Sequence, residues 1–264
     1  MYLDYWALKE SPFENIPSDR FFRSPQHEEA LVRLIYAGEH RKGVAMLTGD
    51  VGSGKTTVAK AFMKHLTPDK YDVQIVSNPA LNPVDLIRAV LFQFGEDTDS
   101  GSKTVLLNQL HQRLYQNDER NLKSVLLVDE AHVIEDQATL DELRMMLNLH
   151  AGGHFLITII LLGQPPLLEK ISSLQPLKER IGVKYHLQPL DLENTMRYTM
   201  FRLKSAGAKR GCFTKEAISV LHDYSEGLPL RINNICDRCL LIGFMRKAML
   251  VDAKIVNEAI EDIK

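Results

Sequence analysis

An α/β fold, built on a parallel five-stranded sheet with helices on both faces and followed by a small all-helical domain, is what the order of apolar segments in this sequence predicts. Two observations carry it. Between residues 44 and 190 short apolar runs alternate with amphipathic stretches, and five of the runs read as strands: Val44–Thr48, Val73–Ser77, Val125–Asp129, Phe155–Leu162 and Val183–Leu187. Continuous apolar, β-branched runs such as Val125–Val128 suit strands buried on both faces, as in a parallel sheet. After Pro189 the strand signal stops, and only helical patterns follow.

Taken in order, residues 1–43 form a polar lead-in studded with aromatics and containing Pro12, Pro17 and Pro25. Its last part, Gln26 to about Gly38, reads as a helix, and the lead-in is expected to pack on the α/β core. Within the core, 44–190, helices are expected over Thr57–Met63, Pro83–Phe94, Thr104–Gln116 and Gln137–Leu149. The last domain, 191–264, reads as four helices: Asp191–Ser205, Thr214–Tyr224, Leu230–Met245 and Asp252–Ile263. Asp191, Thr214 and Asp252 are the residue types that cap helix N-termini. There is no internal repeat or low-complexity tract.

Composition is that of an ordinary globular protein: 264 residues, 45% hydrophobic and 25% charged, enough for a sizeable core. The N-terminus lacks the basic-then-apolar layout of a signal peptide. The longest apolar run, Phe155–Leu162, is too short to cross a bilayer, so no membrane span is expected and a cytoplasmic location is. Cys236 and Cys239 have metal-ligand spacing, but no second Cys or His pair accompanies them; with Cys212 they read as small buried hydrophobes in a reducing compartment. The net charge of −2 hides an asymmetry: residues 1–169 carry −7 and residues 170–264 carry +5. A basic C-terminal third is an electrostatic footprint for duplex DNA, for an acidic partner subunit, or merely a set of solvated helix surfaces.

The chemistry is concentrated in two places. Gly49-Asp50-Val51-Gly52-Ser53-Gly54-Lys55-Thr56, with Thr57 next, spells a phosphate-binding loop between an expected strand and an expected helix. Glycines let the backbone curl so that several N–H groups face an anion at the positive end of the helix dipole. Lys55 would reach the β- and γ-phosphates, and the Thr56 hydroxyl would coordinate Mg²⁺. The second place is the end of the Val125–Val128 run, where Asp129-Glu130 follows. Asp129 is placed to hold Mg²⁺ through its water shell, and Glu130 to orient and polarise an attacking water. Together they predict a nucleoside triphosphatase rather than a passive nucleotide binder.

A phosphate-loop core followed by a small helical lid resembles the AAA+ ATPases. The opening Tyr5-Trp6-Ala7-Leu8-Lys9-Glu10-Ser11-Pro12-Phe13, Arg20-Phe21-Phe22 and His27-Glu28-Glu29-Ala30-Leu31 resembles the ExeA/GspA family, AAA+ proteins of general secretion. Asp129-Glu130-Ala131-His132, Glu142-Leu143-Arg144, Leu147-Asn148-Leu149 and Leu162-Gly163-Gln164-Pro165 continue the likeness. Leu177-Lys178-Glu179-Arg180-Ile181, Gly227-Leu228-Pro229 and Arg231-Ile232-Asn233 complete it over nearly the whole chain. The resemblance implies ATP and Mg²⁺ as ligands and a homo-oligomer, ring or filament, as the working state. It implies that Gln164 is the polar sensor of the γ-phosphate, that Arg180 is an arginine finger acting on a neighbouring subunit's nucleotide, and that Arg231 is the lid sensor. Relatives carry that last arginine directly after the proline, where this chain has Leu230. Phe21, Phe22 and His27 are candidates for an adenine pocket or for packing of the lead-in. Asp129–His132 also spells a helicase DEAH box, but those enzymes need two motor domains and this length holds one. A second function in view is a transposition-type helper that binds duplex DNA without sequence preference, supported by Lys204, Lys209, Arg210, Lys215, Arg246 and Lys247.

Overall fold

The computed structural model describes residues 1–15, 20–97 and 101–263; Pro17 lies outside them. From the N-terminus, α1 (Tyr2–Tyr5) and α2 (Pro25–Glu39) precede β1 (Val44–Gly49), α3 (Lys55–His65) and β2 (Tyr71–Val76). Two helices, α4 (Pro83–Gln93) and α5 (Lys103–Glu119), lead to β3 (Lys123–Val128), a 3-10 turn over Ala131–Val133 and α6 (Gln137–Met146). The two-residue strands β4 (His150–Ala151) and β5 (His154–Phe155) pair antiparallel, and then come β6 (Ile157–Gly163), α7 (Pro166–Ser173), α8 (Gln175–Lys178) and β7 (Ile181–Leu187). The chain finishes with α9 (Leu192–Ser205), α10 (Lys215–Ser225), α11 (Pro229–Met245) and α12 (Ala253–Ile263). These elements form two compact units. One holds Glu28–Gly49 and Lys55–Leu187, the other Met1–His27, Asp50–Gly54 and Gln188–Lys264.

In the α/β unit the sheet order is β2-β3-β6-β1-β7, and every neighbouring pair is parallel. All five expected strands form. β1 and β6 are buried along their whole length, as their unbroken apolar runs require. One core joins sheet and helices, with Met46, Leu126, Leu161, Leu86, Leu91, Leu110 and Leu143 all within 2% of full burial. Each such side chain contributes about 1.5–3 kcal/mol relative to exposure. The expected strand Phe155–Leu162 divides: Phe155 turns back through Gly152 and Gly153 to pair with His150, and the sheet strand starts at Ile157. The expected helix to Leu149 stops at Met146, after which Asn148 and Leu149 make single-turn bonds to Met145 and Met146.

The helical unit has its own core. Trp6, Leu8 and Phe13 of the lead-in share it with Leu203, Ile232, Cys236, Cys239, Leu240 and Val256. The Trp6 indole N–H donates to the Leu240 carbonyl at 2.8 Å, satisfying its polar edge within the apolar site. Phe22 packs on Tyr198 and Phe201, with ring centroids 5.4 and 5.5 Å apart. Asp191, Thr214 and Asp252 cap α9, α10 and α12, accepting from the N–H groups of Asn194, Ala217 and Ile255 at 2.7, 3.2 and 3.0 Å. All three cysteines are buried free thiols, and burial pushes the Cys239 thiol up to about 12. Among the described residues no cluster of His, Cys, Asp and Glu is arranged to hold a metal, and no helix is long and apolar enough to cross a membrane.

Candidate active site

Parallel strands direct all their C-terminal ends to one edge of the sheet. β3, β6 and β1 are consecutive neighbours, so the residues that follow them are brought side by side. Lys55 and Thr56 start the helix after the β1 loop, Asp129 and Glu130 follow β3, and Gln164 follows β6 between the two motifs. Crevices outside the carboxyl ends of such strands are where open α/β sheets take ligands.

Lys55 is buried, and its ammonium donates to the Gly49 carbonyl at 2.8 Å. Thr56 and Thr57 are half-buried on the first turn of α3. Asp129 is half-buried, and desolvation together with the neighbouring Glu130 charge raises its carboxyl above the usual range, while Lys55 and His132 pull the other way. One oxygen accepts the Glu130 backbone N–H at 2.9 Å. Glu130 itself sits at φ +52, a left-handed conformation that costs a non-glycine residue about 1–3 kcal/mol. Its Oε2 lies 3.1 Å from His132 Nδ1. Lys170, on α7, holds that turn by donating to the His132 and Ile134 carbonyls at 2.5 and 2.7 Å. Sequence reasoning missed Lys170, whose only signal is a lone cation on a helix.

Arg180 is exposed, and its carbonyl accepts from the N–H of Val44, the first residue of β1. It therefore lies at the sheet edge opposite Gly49. Five residues along β1 at about 3.3 Å each put those edges about 17 Å apart. The structure does not bring Arg180 to the Lys55–Asp129 cluster of its own chain.

In the helical unit, residues 50–54 are held from two sides. Asp50 and Val51 are exposed, while Ser53 is buried with a hydroxyl that makes no hydrogen bond. Gly52 has φ +77, and a Cβ there would lie 2.3 Å from Leu230 Cβ. The Leu230 N–H donates to the Gly52 carbonyl at 3.2 Å. Gly54 has φ +103, and a Cβ there would lie 2.7 Å from His27 Nε2. His27 is 5% exposed and contacts the Ser53 carbonyl at 3.0 Å, and Phe21 meets its ring edge-on at 6.3 Å. Arg231, one position past Leu230, is exposed and pairs with Glu226 instead of approaching the loop.

These residues fit a nucleoside triphosphate and Mg²⁺. The loop has no room for Cβ atoms at Gly52 and Gly54, keeps a buried hydroxyl at Ser53 without a partner, and is followed by a buried ammonium. Thr56 and Asp129 are the residues that would hold the cation.

A parallel sheet with a phosphate-binding loop after β1 and an acidic pair after β3 defines a P-loop nucleotide-binding protein. A family model described as AAA domain matches residues 38–171. General secretion pathway protein A of Aeromonas hydrophila is 37% identical over 252 residues, 93% of this chain but 45% of that protein. The chain belongs to the AAA domain family and, within it, to the AAA+ proteins of the ExeA/GspA type. It spans about half the length of that curated relative. Among solved structures, the Aeropyrum pernix ORC2 protein in its ADPNP-ADP complexes superposes with a TM-score of 0.71 at 17% identity, covering 96% of this chain and 71% of that one. The Aeropyrum pernix ORC1 protein in complex with DNA gives 0.69 at 16% identity over 96% and 68%. At those identities the likeness is one of fold.

Proposed function

We propose that this chain is a Mg²⁺-dependent ATPase that couples ATP binding and hydrolysis to the assembly or remodelling of a partner complex, in the manner of a secretion-associated AAA+ protein. The observation that carries the reading is the adjacency of β3, β6 and β1, which sets the Lys55, Asp129-Glu130 and Gln164 positions along one sheet edge. Backbone N–H groups of the loop receive the phosphates, and Lys55 exchanges its bond to Gly49 for the β- and γ-phosphate oxygens. Thr56 and Asp129 would hold Mg²⁺, which would supply neutralisation of the phosphate charge. Glu130 accepts the proton of the water that attacks the γ-phosphorus as the bond to the bridging oxygen breaks, so that ADP leaves and inorganic phosphate forms, and Gln164 marks the γ-phosphate. Arg180 serves the nucleotide of a second copy, which its place at the opposite edge supports, so activity requires assembly into a ring or filament. Residues 44–190 act as nucleotide core and 191–264 as lid, in the cytoplasm.

Hydrolysis of Mg-ATP, measured over a range of protein concentrations with and without duplex DNA, tests this. Specific activity that rises with protein concentration supports the reading, and no turnover at any concentration refutes it. Further stimulation by non-specific duplex, steeply reduced by salt, would move the protein to the DNA-bound helper class, for which the +5 charge of residues 170–264 is the supporting feature. Lys55→Ala should lose binding or hydrolysis.

A further inference from the structure

We propose that His27 is a positioning residue for the phosphate-binding loop: as a neutral imidazole carrying its proton on Nε2, it fixes the Ser53 carbonyl and so aims the Gly54 N–H at the bound phosphates. The inference rests on the nucleotide site proposed above and adds a residue that sequence reasoning left between an adenine pocket and packing.

Two contacts set the tautomer. The Ser53 carbonyl only accepts, so His27 Nε2, 3.0 Å away, must be the donor. Nδ1 is then the acceptor, and the Ser24 hydroxyl at 2.7 Å donates to it. Ser24 is fully buried and precedes α2, where its oxygen also takes the His27 backbone N–H at 3.3 Å as a cap. Burial depresses the basicity of the ring, which keeps it neutral and both bonds in register. In a trans peptide the C=O and the next N–H point in opposite directions. Tying the Ser53 carbonyl to His27 therefore turns the Gly54 N–H away from the imidazole. One peptide earlier the Leu230 N–H ties the Gly52 carbonyl, and there the following N–H, that of Ser53, donates to the Asp50 carbonyl at 3.1 Å. No side chain at position 54 fits, because its Cβ would meet Nε2 at 2.7 Å. Ring and loop are thus shaped to each other.

The test compares wild type, His27→Leu and His27→Gln for binding of ATP, ADP and inorganic tripolyphosphate by calorimetry, with kcat at saturating ATP. A misaimed charge-directed hydrogen bond corresponds to about a tenfold or greater loss. His27→Leu should weaken all three ligands by a similar factor of about ten or more with kcat changed far less, and His27→Gln, whose amide can still donate, should recover most of the loss. Unchanged tripolyphosphate binding alongside weakened ATP would place His27 against the base and overturn the proposal. Equal binding by His27→Leu and wild type would overturn it too. If wild type binds neither ATP nor tripolyphosphate, the nucleotide site itself is wrong. Nitrogen-15 spectra of the wild-type histidines provide a check that needs no variant: His27 should be neutral with the proton on Nε2, and a proton on Nδ1 at neutral pH would refute the assignment.

Discussion

Gly54→Ala separates two costs that the loop geometry superimposes. The first is local. At φ +103 an L side chain is strained whatever the surrounding space, at about 1–2 kcal/mol. The second is steric: the new Cβ would lie 2.7 Å from His27 Nε2, well inside van der Waals contact, so the imidazole must move. Moving it gives up the bonds to Ser53 and Ser24 at 3.0 and 2.7 Å, each worth about 1 kcal/mol. The nucleotide-free protein should therefore lose about 3 kcal/mol, read as a shift in the urea midpoint followed by circular dichroism. In a His27→Ala background the imidazole is gone, and the same substitution should cost only the backbone part, about 1–2 kcal/mol. A cost equal in both backgrounds would show that His27 does not press on Gly54. A cost below about 0.5 kcal/mol in wild type would refute the strain argument as well.

Other perturbations read out other parts of the site. Glu130→Gln should lower turnover by about 10²–10⁴-fold while ATP binding, measured by calorimetry, persists; unchanged turnover would remove Glu130 as the base. Arg180→Ala should abolish hydrolysis while the isolated subunit still binds ATP, whereas loss of monomer binding would make Arg180 structural. Arg231→Ala should leave ATP affinity within about twofold, because this exposed side chain is turned about 100° from Leu230, the residue that meets the loop; a tenfold loss would restore it as a lid sensor. Burial holds His27 below its ordinary value of 6.5, so on acidification the unfolded chain protonates there before the folded one. The stability contributed by a neutral His27 is then complete above that value and declines as pH falls below it; the urea midpoint of His27→Gln should fall less steeply with acid.

The sheet was legible where burial leaves a plain pattern. β1, β3 and β6 run through the interior, and their apolar runs announce them. β2 is an edge strand and only half-buried, so its first residues look polar. Asp72 enters it because Arg113 and Asn117 of α5 bond its carboxylate at 2.9 Å each. Those contacts lie 41 and 45 residues away and leave no local trace. Helices α7 and α8 were also silent. Pro166 and Pro176 interrupt the pattern, yet each stands in a first turn, where a missing N–H costs nothing.

The chemical residues obey the same division. Lys55, Thr56, Asp129 and Glu130 stand out in the sequence because a glycine-rich loop before a helix and an acidic pair after an apolar strand are patterns of residue type and spacing along one stretch of chain. The roles proposed for them rest on that pattern. What shapes residues 50–54 from outside was not readable, since His27 and Leu230 reach the loop from positions far off in sequence. The departure at Leu230 shows why a motif letter and a side-chain role can separate. Adjacent residues on a helix point about 100° apart. Here the position after Pro229 has a backbone N–H bonded to Gly52 and an apolar side chain set against that glycine, where an arginine at the same point would bring charge to the loop. The charge has moved one step along α11 and found Glu226. An exposed pair of that kind is worth about 0–1 kcal/mol, so it would yield to a phosphate able to reach it. Whether Arg231 senses nucleotide therefore turns on reach rather than on the strength of its present partner, and ATP affinity after Arg231→Ala measures that reach directly.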